Sequence, residues 1–518
     1  MRKLRLHLED GYTMVSVVLT MMILGVFTVG AWGAINNDLP LVRGDTDRKR
    51  AYEAAEAGIQ WYLSVLWRDP GHWTACATDG TQGVNMAGPN GAPNRSSWRP
   101  VDPDSETDEE FAIELVPAPN KTCDPNGDPG QAMLQDGVLR IRSTGRAGGK
   151  QRQVVATLRR KGFLDFIYFT QWETLPPELA KYESDSLTAE WVRANCDAPR
   201  NQRPSQCPDI QFAPNDAVAG PLHTEDSSLL ICNSPTFGRN GDDAVEITRG
   251  AQNNWTVAAG GCSNNPNLKG TLSAPAGSMV VPENNRALKA VADIVVEGLT
   301  CLRFNGLQVT IYRNQSWSGK ITCTGTPEVR SLSKSSVIYV DNDPSKGCVQ
   351  NYDWKQDYNH PKECGYVAVQ GNYSGNVTVA SAQDVIVDGN LTRNSNSLLF
   401  GLIGQRFVRV YHPVQNRSGK NCTNQNYTKV TRIDAAILAT RGSFLVDNFY
   451  CGASLGTLQV NGAIAQYWRG PVGTSANTGY IKDYNYNDRL RYNEPPHFLE
   501  PTGSDWKLLR ASEKSPVQ

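Results

Sequence analysis

The stretch GYVAVQGNYSGNVTVASAQDVIVDGNLT, Gly365–Thr392, contains three short valine-rich runs separated by turns of Gly, Asn and Asp. Alternation of apolar and polar residues over four to eight positions is typical of a half-buried β-strand. In this stretch each run is about four residues long, and the next run begins only a few residues later. The stretch therefore predicts tightly coiled β-structure.

The same rhythm extends over about Gly220–Tyr480, where similar runs recur between turn residues. Short strands at such close spacing are typical of a coiled solenoid, and we predict a right-handed parallel β-helix. The alternative is a β-sandwich, which favours longer strands and clearer hairpins. In the β-helix, the inward-facing residues of the central stretch would be Val377, Val379, Val385 and Val387.

The chain of 518 residues contains twelve cysteines at wide spacings, without a C-x-x-C pair. Zinc ligands usually come in such close pairs, so we predict no metal site, and the even count favours an oxidising compartment outside the cytoplasm. Buried free thiols are the alternative. Connectivity does not follow from sequence, and several pairings remain open. The least entangled pairing is sequential: Cys76 with Cys123, Cys196 with Cys207, Cys232 with Cys262, Cys301 with Cys323, Cys348 with Cys364, and Cys422 with Cys451.

Upstream of the solenoid-like region, three runs predict a small antiparallel sheet: FAIELVPA (111–118), GVLRIRSTG (137–145) and KQRQVVATLRRKG (150–162). The last two are joined by RAGGK, which is a glycine-bearing hairpin signal. Residues 67–111 are rich in Gly, Pro, Asn and Asp and predict loops. FLDFIYFTQWETLPP (163–177) is either a junction that seats the next domain or a buried strand.

The first part of the chain predicts a long helix over 12–67. Residues 12–35 carry no charged side chain, and about 36 Å of helix would cross a hydrocarbon core of about 30 Å. The leader MRKLRLHLEDG (1–11) is basic and favours a cytoplasmic amino terminus. Pro40 is expected to kink or stop the helix. From Ala51 to Leu66, small and then large apolar residues share one helical face.

A basic leader ending in Gly11, an apolar helix headed by Tyr12 and the segment AYEAAEAGI (51–59) resemble bacterial type IV prepilins, most of all the PilX-type minor pilins. The resemblance implies that a prepilin peptidase cuts between Gly11 and Tyr12 and methylates the new amino terminus. It also implies that the helix packs against other pilin subunits.

Major pilins carry Glu at the fifth mature position, where this chain has Ser16. In the family, that carboxylate neutralises the amino terminus of the neighbouring subunit inside an apolar core. An unpaired charge in such a core is costly, so a subunit without the Glu is acceptable where no neighbour lies ahead of it. Ser16 therefore favours a minor, initiating subunit.

The outer half, Phe163–Pro501, resembles a domain of unassigned function found behind PilX-like amino termini in bacterial surface proteins. The resemblance is carried by GTLQVNGAIAQYWRGPVGT (456–474) and GYIKDYNYNDRLRYNEPPHFL (479–499), among other segments. It implies architecture and location but no activity. The predicted α+β organisation is a leader at 1–11, a helix at 12–67, a β head with loops at 68–162, a β-helical display domain at 163–501 and a tail at 502–518.

Catalytic chemistry is weakly indicated. The best cluster is PLHTEDSS (221–228), in which His223, Glu225 and Asp226 suit acid–base work, although a polar turn explains them equally well. The loop DNDPSKG that begins at Asp341 is similar to calcium-binding loops but lacks the downstream Glu. We predict no catalytic residues, no enzyme activity and no cofactor.

The segment DYNYNDRLRYNEPP (483–496) combines charged residues with tyrosines. It would suit a carbohydrate-binding surface, but a segment that caps the last coil is the preferred interpretation, because an open solenoid end exposes strand edges. Its charged residues are Asp483, Asp488, Arg489 and Arg491.

The formal net charge of −1 provides no basic field, so nucleic acid is not a predicted partner. We predict a minor pilin-like subunit of a type IV pilus or pseudopilus, acting in filament initiation or tip display. It would lie in the bacterial cytoplasmic membrane, with its bulk outside, and then on the pilus or cell surface. The alternative is a membrane-tethered β-helical protein that binds or cleaves surface polysaccharide, with surface glycans as its partners.

Overall fold

The computed structural model divides the chain into two compact units. The first comprises the described residues as far as Arg160 together with the strand Trp506–Lys514, and the second is Lys161–Ser504. The structure describes residues 12–104, 108–126, 132–135, 138–214, 216–250, 254–349, 352–491, 493–502, 504 and 506–514. Side chains are described in these ranges except at 12, 13, 30–42 and 135.

The described part of the first unit opens with a helix of 57 residues, Tyr12–Arg68. The helix continues through Pro40, so this proline does not stop it. The large apolar side chains between Met14 and Val29 are exposed, whereas Tyr62 and Leu66 near the other end are fully buried.

A mixed sheet covers the second half of this helix. Its central strands are antiparallel, and Ala147 pairs with Lys150 across a turn in which Gly148 and Gly149 both have positive φ, the geometry of a tight hairpin. The main path of the sheet runs through Val84–Met86, Glu110–Leu115, Val138–Ala147, Lys150–Arg160 and Trp506–Lys514, with Arg99–Pro100 and Leu134–Gln135 paired at the side.

Helix and sheet approach most closely at Gly145. A Cβ on this residue would overlap the backbone of Ala51 and Ala55 and lie 2.9 Å from the Cβ of Ala54. The small residues at the start of the helical face therefore permit the contact, and larger residues such as Ile59 fill the core beyond it.

The segment 502–518, interpreted above as a tail, contributes a strand to the first unit. Trp506–Lys514 lies antiparallel to Lys150–Arg160, with Trp506 opposite Arg160. The Trp506 ring packs edge-to-face on Trp73 at 6.3 Å, and its Nε1 donates to the carbonyl of Pro70 at 2.9 Å. The chain thus leaves this sheet after Arg160 and returns beside the same residue.

The second unit is rich in short strands, with short helical turns between some of them. The helical segments are Phe163–Asp165, Pro177–Leu179, Ala180–Glu183, Ala189–Asn195, Arg286–Val291 and Asp488–Arg491. The strands are Tyr168–Trp172, Ala217–Ala219, Leu222–Thr224, Leu229–Ile231, Thr236–Phe237, Ala244–Ile247, Trp255–Val257, Asn267–Leu268, Thr271–Ser273, Ile294–Glu297, Thr300–Gly306, Gln308–Tyr312, Glu328–Ser331, Ser335–Asp341, Val367–Tyr373, Asn376–Ser381, Val385–Arg393, Phe400–Gly404, Val408–Val410, Val414–Ser418, Asn421–Asn424, Arg432–Ile433, Ala436–Ala439, Phe444–Val446, Gly456–Trp468 and Tyr480–Tyr486.

Ten of these strands form one parallel stack, here called the first ladder. In spatial order they are Ile294–Glu297, Ser335–Asp341, Asn376–Ser381, Phe400–Gly404, Ala436–Ala439, the second half of Gly456–Trp468, Tyr168–Trp172, Leu222–Thr224, Ala244–Ile247 and Thr271–Ser273.

Further parallel pairs run beside the first ladder. Val367–Tyr373 pairs with Thr300–Gly306 on one side and Val385–Arg393 on the other. Tyr480–Tyr486 lies between the first half of Gly456–Trp468 and Ala217–Ala219. This parallel pairing differs from the antiparallel sheets of the β-sandwich alternative.

Spatial order in the first ladder is not chain order. Tyr168–Trp172, the first strand of the unit in sequence, lies in the interior of the stack. From there the chain builds towards one end, reaching Thr271–Ser273, and residues 274–293 then carry it to the opposite end. It fills the remaining positions from Ile294–Glu297 onwards, so that Gly456–Trp468 closes against the first strand.

The core of the second unit is a continuous apolar cluster. Val377, Val379, Val385 and Val387, predicted to face inward, each have 0% exposure. Strand Tyr168–Trp172 is buried along its whole length, so that of the two alternatives for residues 163–177 the structure has the buried strand.

Candidate functional site

The amino-terminal positions named by the sequence analysis lie at the start of the long helix. Gly11 lies outside the described residues. Tyr12 is the first described residue and is helical, and Ser16 follows one turn later in the exposed part of the helix.

Among the residues that the structure describes, no helix has an apolar stretch long enough to cross a membrane. The prediction of a single-pass segment at 12–35, and with it the cytoplasmic-membrane location, is therefore wrong.

Six disulfides are present, and no described cysteine is free. Their Cα–Cα distances lie between 4.7 and 6.0 Å, within the usual range for a bridge. The pairs are those of the sequential scheme: Cys76–Cys123, Cys196–Cys207, Cys232–Cys262, Cys301–Cys323, Cys348–Cys364 and Cys422–Cys451.

His223 and Glu225 meet inside the stack, together with a residue that the sequence analysis did not include, Glu246. Both ring nitrogens of His223 contact carboxylates, with Nδ1 2.9 Å from Glu246 and Nε2 3.0 Å from Glu225. Lys161 lies 2.6 Å from the other oxygen of Glu246. His223 and Glu225 have 0% exposure, so the cluster is closed to a substrate.

Electrostatics in this cluster favour an imidazolium between two carboxylates. Burial alone would lower the pKa of His223, but its hydrogen bonds to Glu225 and Glu246 outweigh burial and raise the pKa above 6.5. Burial opposes ionisation of Glu246 as well, yet the contacts with His223 and Lys161 lower its pKa to about 2. The arrangement is a satisfied structural ion cluster.

Asp226 takes no part in this cluster. Its carboxylate accepts from the backbone N–H groups of Glu173 and Arg200, at 3.0 and 2.6 Å. It also pairs with the buried guanidinium of Arg203 at 2.8 Å. The structure therefore separates Asp226 from His223 chemically, although they are close in sequence.

The segment 483–496, interpreted above as a cap over the last coil, does not begin at an end of the stack. Tyr480–Tyr486, which includes Asp483, is a strand paired on both sides within the stack, so the capping prediction is wrong. Asp488 is 2.7 Å from Arg239, and Arg491 is 3.5 Å from Asp243. Arg489 is exposed.

In the loop that begins at Asp341, compared above with calcium-binding loops, lysine side chains balance the aspartate charges. Asp341 pairs with Lys289 at 2.5 Å, and Asp343 pairs with Lys346 at 2.8 Å. Among the described residues, no group of three or more His, Cys, Asp and Glu side chains could hold a metal ion.

Arg409 is a buried charged residue that the sequence analysis did not identify. It has 0% exposure, donates to Gln356 at 2.6 Å and lies 3.5 Å from Asp384 and 3.7 Å from Asp447. Burial raises the pKa of Asp447 to about 6. The available signal was an arginine at the centre of an otherwise apolar strand, FVRVYH (407–412).

No protein-family model matches the chain, so the specific resemblance to PilX-type minor pilins has no support of that kind. No curated protein matches it either. Among solved structures, the chain is similar to the competence-associated pilin ComZ from Thermus thermophilus. The two share 13% identity over 90% of this chain and 98% of that chain, with a TM-score of 0.27.

Proposed function

We propose that the chain is a minor pilin-like subunit whose first unit is the assembly part and whose second unit is a display module. The observation that carries this proposal is the construction of the first unit. The described helix, Tyr12–Arg68, is continuous over 57 residues. Its second half packs on a mainly antiparallel sheet through Ala51, Ala55 and Ile59.

The role of an initiating or tip subunit rests on Ser16. A Glu at this position would bring a carboxylate that needs a positive partner from a neighbouring subunit. A hydroxyl needs no counter-ion, so Ser16 tolerates a position with no subunit ahead of it. Prepilin peptidase and other pilin subunits are the partners in this proposal.

The display module is proposed to be a right-handed parallel β-helix. The parallel pairing along the first ladder and the complete burial of Val377, Val379, Val385 and Val387 support it. Cleavage of polysaccharide receives no support from the cluster first considered for it, because His223 and Glu225 are sealed inside the stack.

The experiment is intact-mass and amino-terminal peptide mass spectrometry of the chain from its native cells. The expected mature chain begins at N-methylated Tyr12, and Gly11→Val is expected to remain uncut and unassembled. Gly25→Val is the matched control, because a Cβ at Gly25 meets nothing within 4 Å. A wild-type chain that still begins at Met1, or assembly of uncut Gly11→Val protein, would overturn the proposal.

A further inference from the structure

A groove of about 740 Å³ lies on the second unit, at the ends of the first-ladder strands. Its floor is built by residues at or just beyond the carboxyl ends of five successive strands of the ladder: Asn342, Gln383, Gln405, Arg441 and Tyr467. Because neighbouring strands are about 4.8 Å apart, these five positions extend over about 19 Å. The groove thus runs along the stack and is long enough for a linear oligomer of a few six-membered rings.

One wall is formed by the crossing segment 274–293. Asn285 anchors it with 0% exposure, donating to the carbonyls of Ser381 at 2.8 Å and Ile403 at 3.4 Å. The Asn285 side-chain oxygen accepts from the hydroxyl of Tyr339 at 3.2 Å. This wall is therefore fixed to the ladder before any ligand arrives.

The other wall comes from the helical turns of residues 177–197. Glu178 and Arg193 pair across it at 3.0 Å. Asp197 accepts from the hydroxyl of Tyr467 at 2.8 Å and from Nε1 of Trp172. These bonds hold the Tyr467 ring in one orientation at the end of the groove.

Two buried polar atoms of the lining have no hydrogen-bond partner among the described residues. They are Oε1 of Gln383 and Oε2 of Glu178. A buried polar atom without a hydrogen-bond partner is unfavourable, so donors supplied by a ligand would be favourable here.

Two cations of the groove also lack an opposite charge. Arg193, Lys289 and Arg406 have carboxylate partners, whereas Arg286 and Arg441 are exposed and form no ion pair with any described residue. Guanidinium groups bind carboxylates in bidentate geometry. The lining also contains the carboxylates of Asp197 and Glu283, which form no ion pair with a described residue, so Arg286 and Arg441 are the specific positions at which a ligand carboxylate would bind.

We propose that this groove binds an acidic oligosaccharide, with Arg286 and Arg441 on its carboxylates and Tyr467 beside a sugar ring. Side-chain amides and guanidiniums suit ring hydroxyls. An extended peptide would need a free strand edge, and the five strands that end at the floor are each paired on both sides along the ladder. Binding at this groove is independent of cleavage at Gly11.

The test is isothermal titration of the full chain with linear tetragalacturonate, and with maltotetraose as the neutral tetramer. Tetragalacturonate is expected to bind more tightly, and its affinity to fall with added NaCl. Arg286→Gln and Arg441→Gln are each expected to raise its Kd about tenfold, as for the loss of one charge-assisted contact. Both residues are exposed, so folding should be unaffected. Arg489→Gln, at an exposed arginine outside the groove, is the matched control.

Three results would overturn the proposal. One is the absence of binding by tetragalacturonate. Another is equal binding of the acidic and neutral tetramers. The third is tetragalacturonate binding that both groove variants and Arg489→Gln leave equally unchanged, because the ligand would then occupy another surface.

Discussion

The His223 ring lies between Glu225 and Glu246 with no exposure to solvent. Its pKa is raised in the folded chain, and the pKa values of Glu225 and Glu246 are lowered. A raised histidine pKa stabilises the fold below 6.5, and this contribution is lost as pH rises through the folded value. Lowered carboxylate pKa values stabilise the fold above 4.5, and this contribution is lost as pH falls.

We predict that His223→Gln lowers the free energy of unfolding of the second unit most between pH 4.5 and 6.5. In this range the stabilisation from the histidine and the stabilisation from the two carboxylates are both present. At pH values well above the folded pKa of His223 the loss is expected to be smaller. The measurement is urea unfolding of both proteins across this pH range. Exposed His497→Gln is the control; a loss for His223→Gln that is independent of pH would contradict the charge assignment.

Arg409 is the only cation in contact with both Asp384 and Asp447 among the described residues. Arg409→Met is predicted to lower the free energy of unfolding of the second unit by about 3–5 kcal/mol, because it leaves the buried carboxylate of Asp447 without a cation, whereas Asp384 keeps Arg406. Arg441→Met, at an exposed site, should change it little. Equal stability of the two variants in urea unfolding would show that the buried arginine is dispensable.

At the scale of the element, the contact between the long helix and its sheet depends on Gly145. Gly145→Ala is predicted to lower the free energy of unfolding of the first unit by about 1–3 kcal/mol through overpacking. Gly44→Ala, in an open stretch of the same helix, is predicted to raise it by up to about 1 kcal/mol. Thermal unfolding followed by circular dichroism measures both, and a neutral Gly145→Ala would mean that the helix can move away from the sheet.

In this chain the local sequence pattern predicts which segments are strands and hairpins. It does not predict which charged side chains are buried. Alternation located Val377, Val379, Val385 and Val387, and the RAGGK turn located the hairpin of the first unit. For His223 and Glu225 the sequence leaves acid–base work and a polar turn as equal explanations, and both place the side chains at the surface, because charged residues lie in water by default. Their burial depends on Glu246, which a later strand supplies.

At the scale of the whole molecule, the first unit is made from two distant parts of the chain. A chain ending at Ser504 is predicted to lose several kcal/mol from the first unit, since it lacks the Trp506 ring buried against Trp73. The second unit should keep its own unfolding transition. Calorimetry resolves the two transitions, and a chain ending at Lys514 is the control; loss of both transitions would show that the units are not independent.

The order of strands in the second unit could not be predicted from sequence. Each strand of the first ladder is short and alternating, so the pattern identifies strands but not the partner on which each one stacks. Tyr168–Trp172 pairs with Gly456–Trp468, although the two strands lie near opposite ends of the unit in sequence. The groove depends on the same arrangement, since its walls come from the crossing segment and from residues 177–197.

The closing pair of strands also determines how the unit is completed during synthesis. Tyr168–Trp172 is synthesised early, and one of its edges stays unpaired until Gly456–Trp468, near the carboxyl end of the unit, has been synthesised. Glu173 receives its counter-ion Arg469 from a position 296 residues later. A nascent or truncated chain therefore presents an open apolar strand edge, which is where a chaperone would bind and where aggregation would begin.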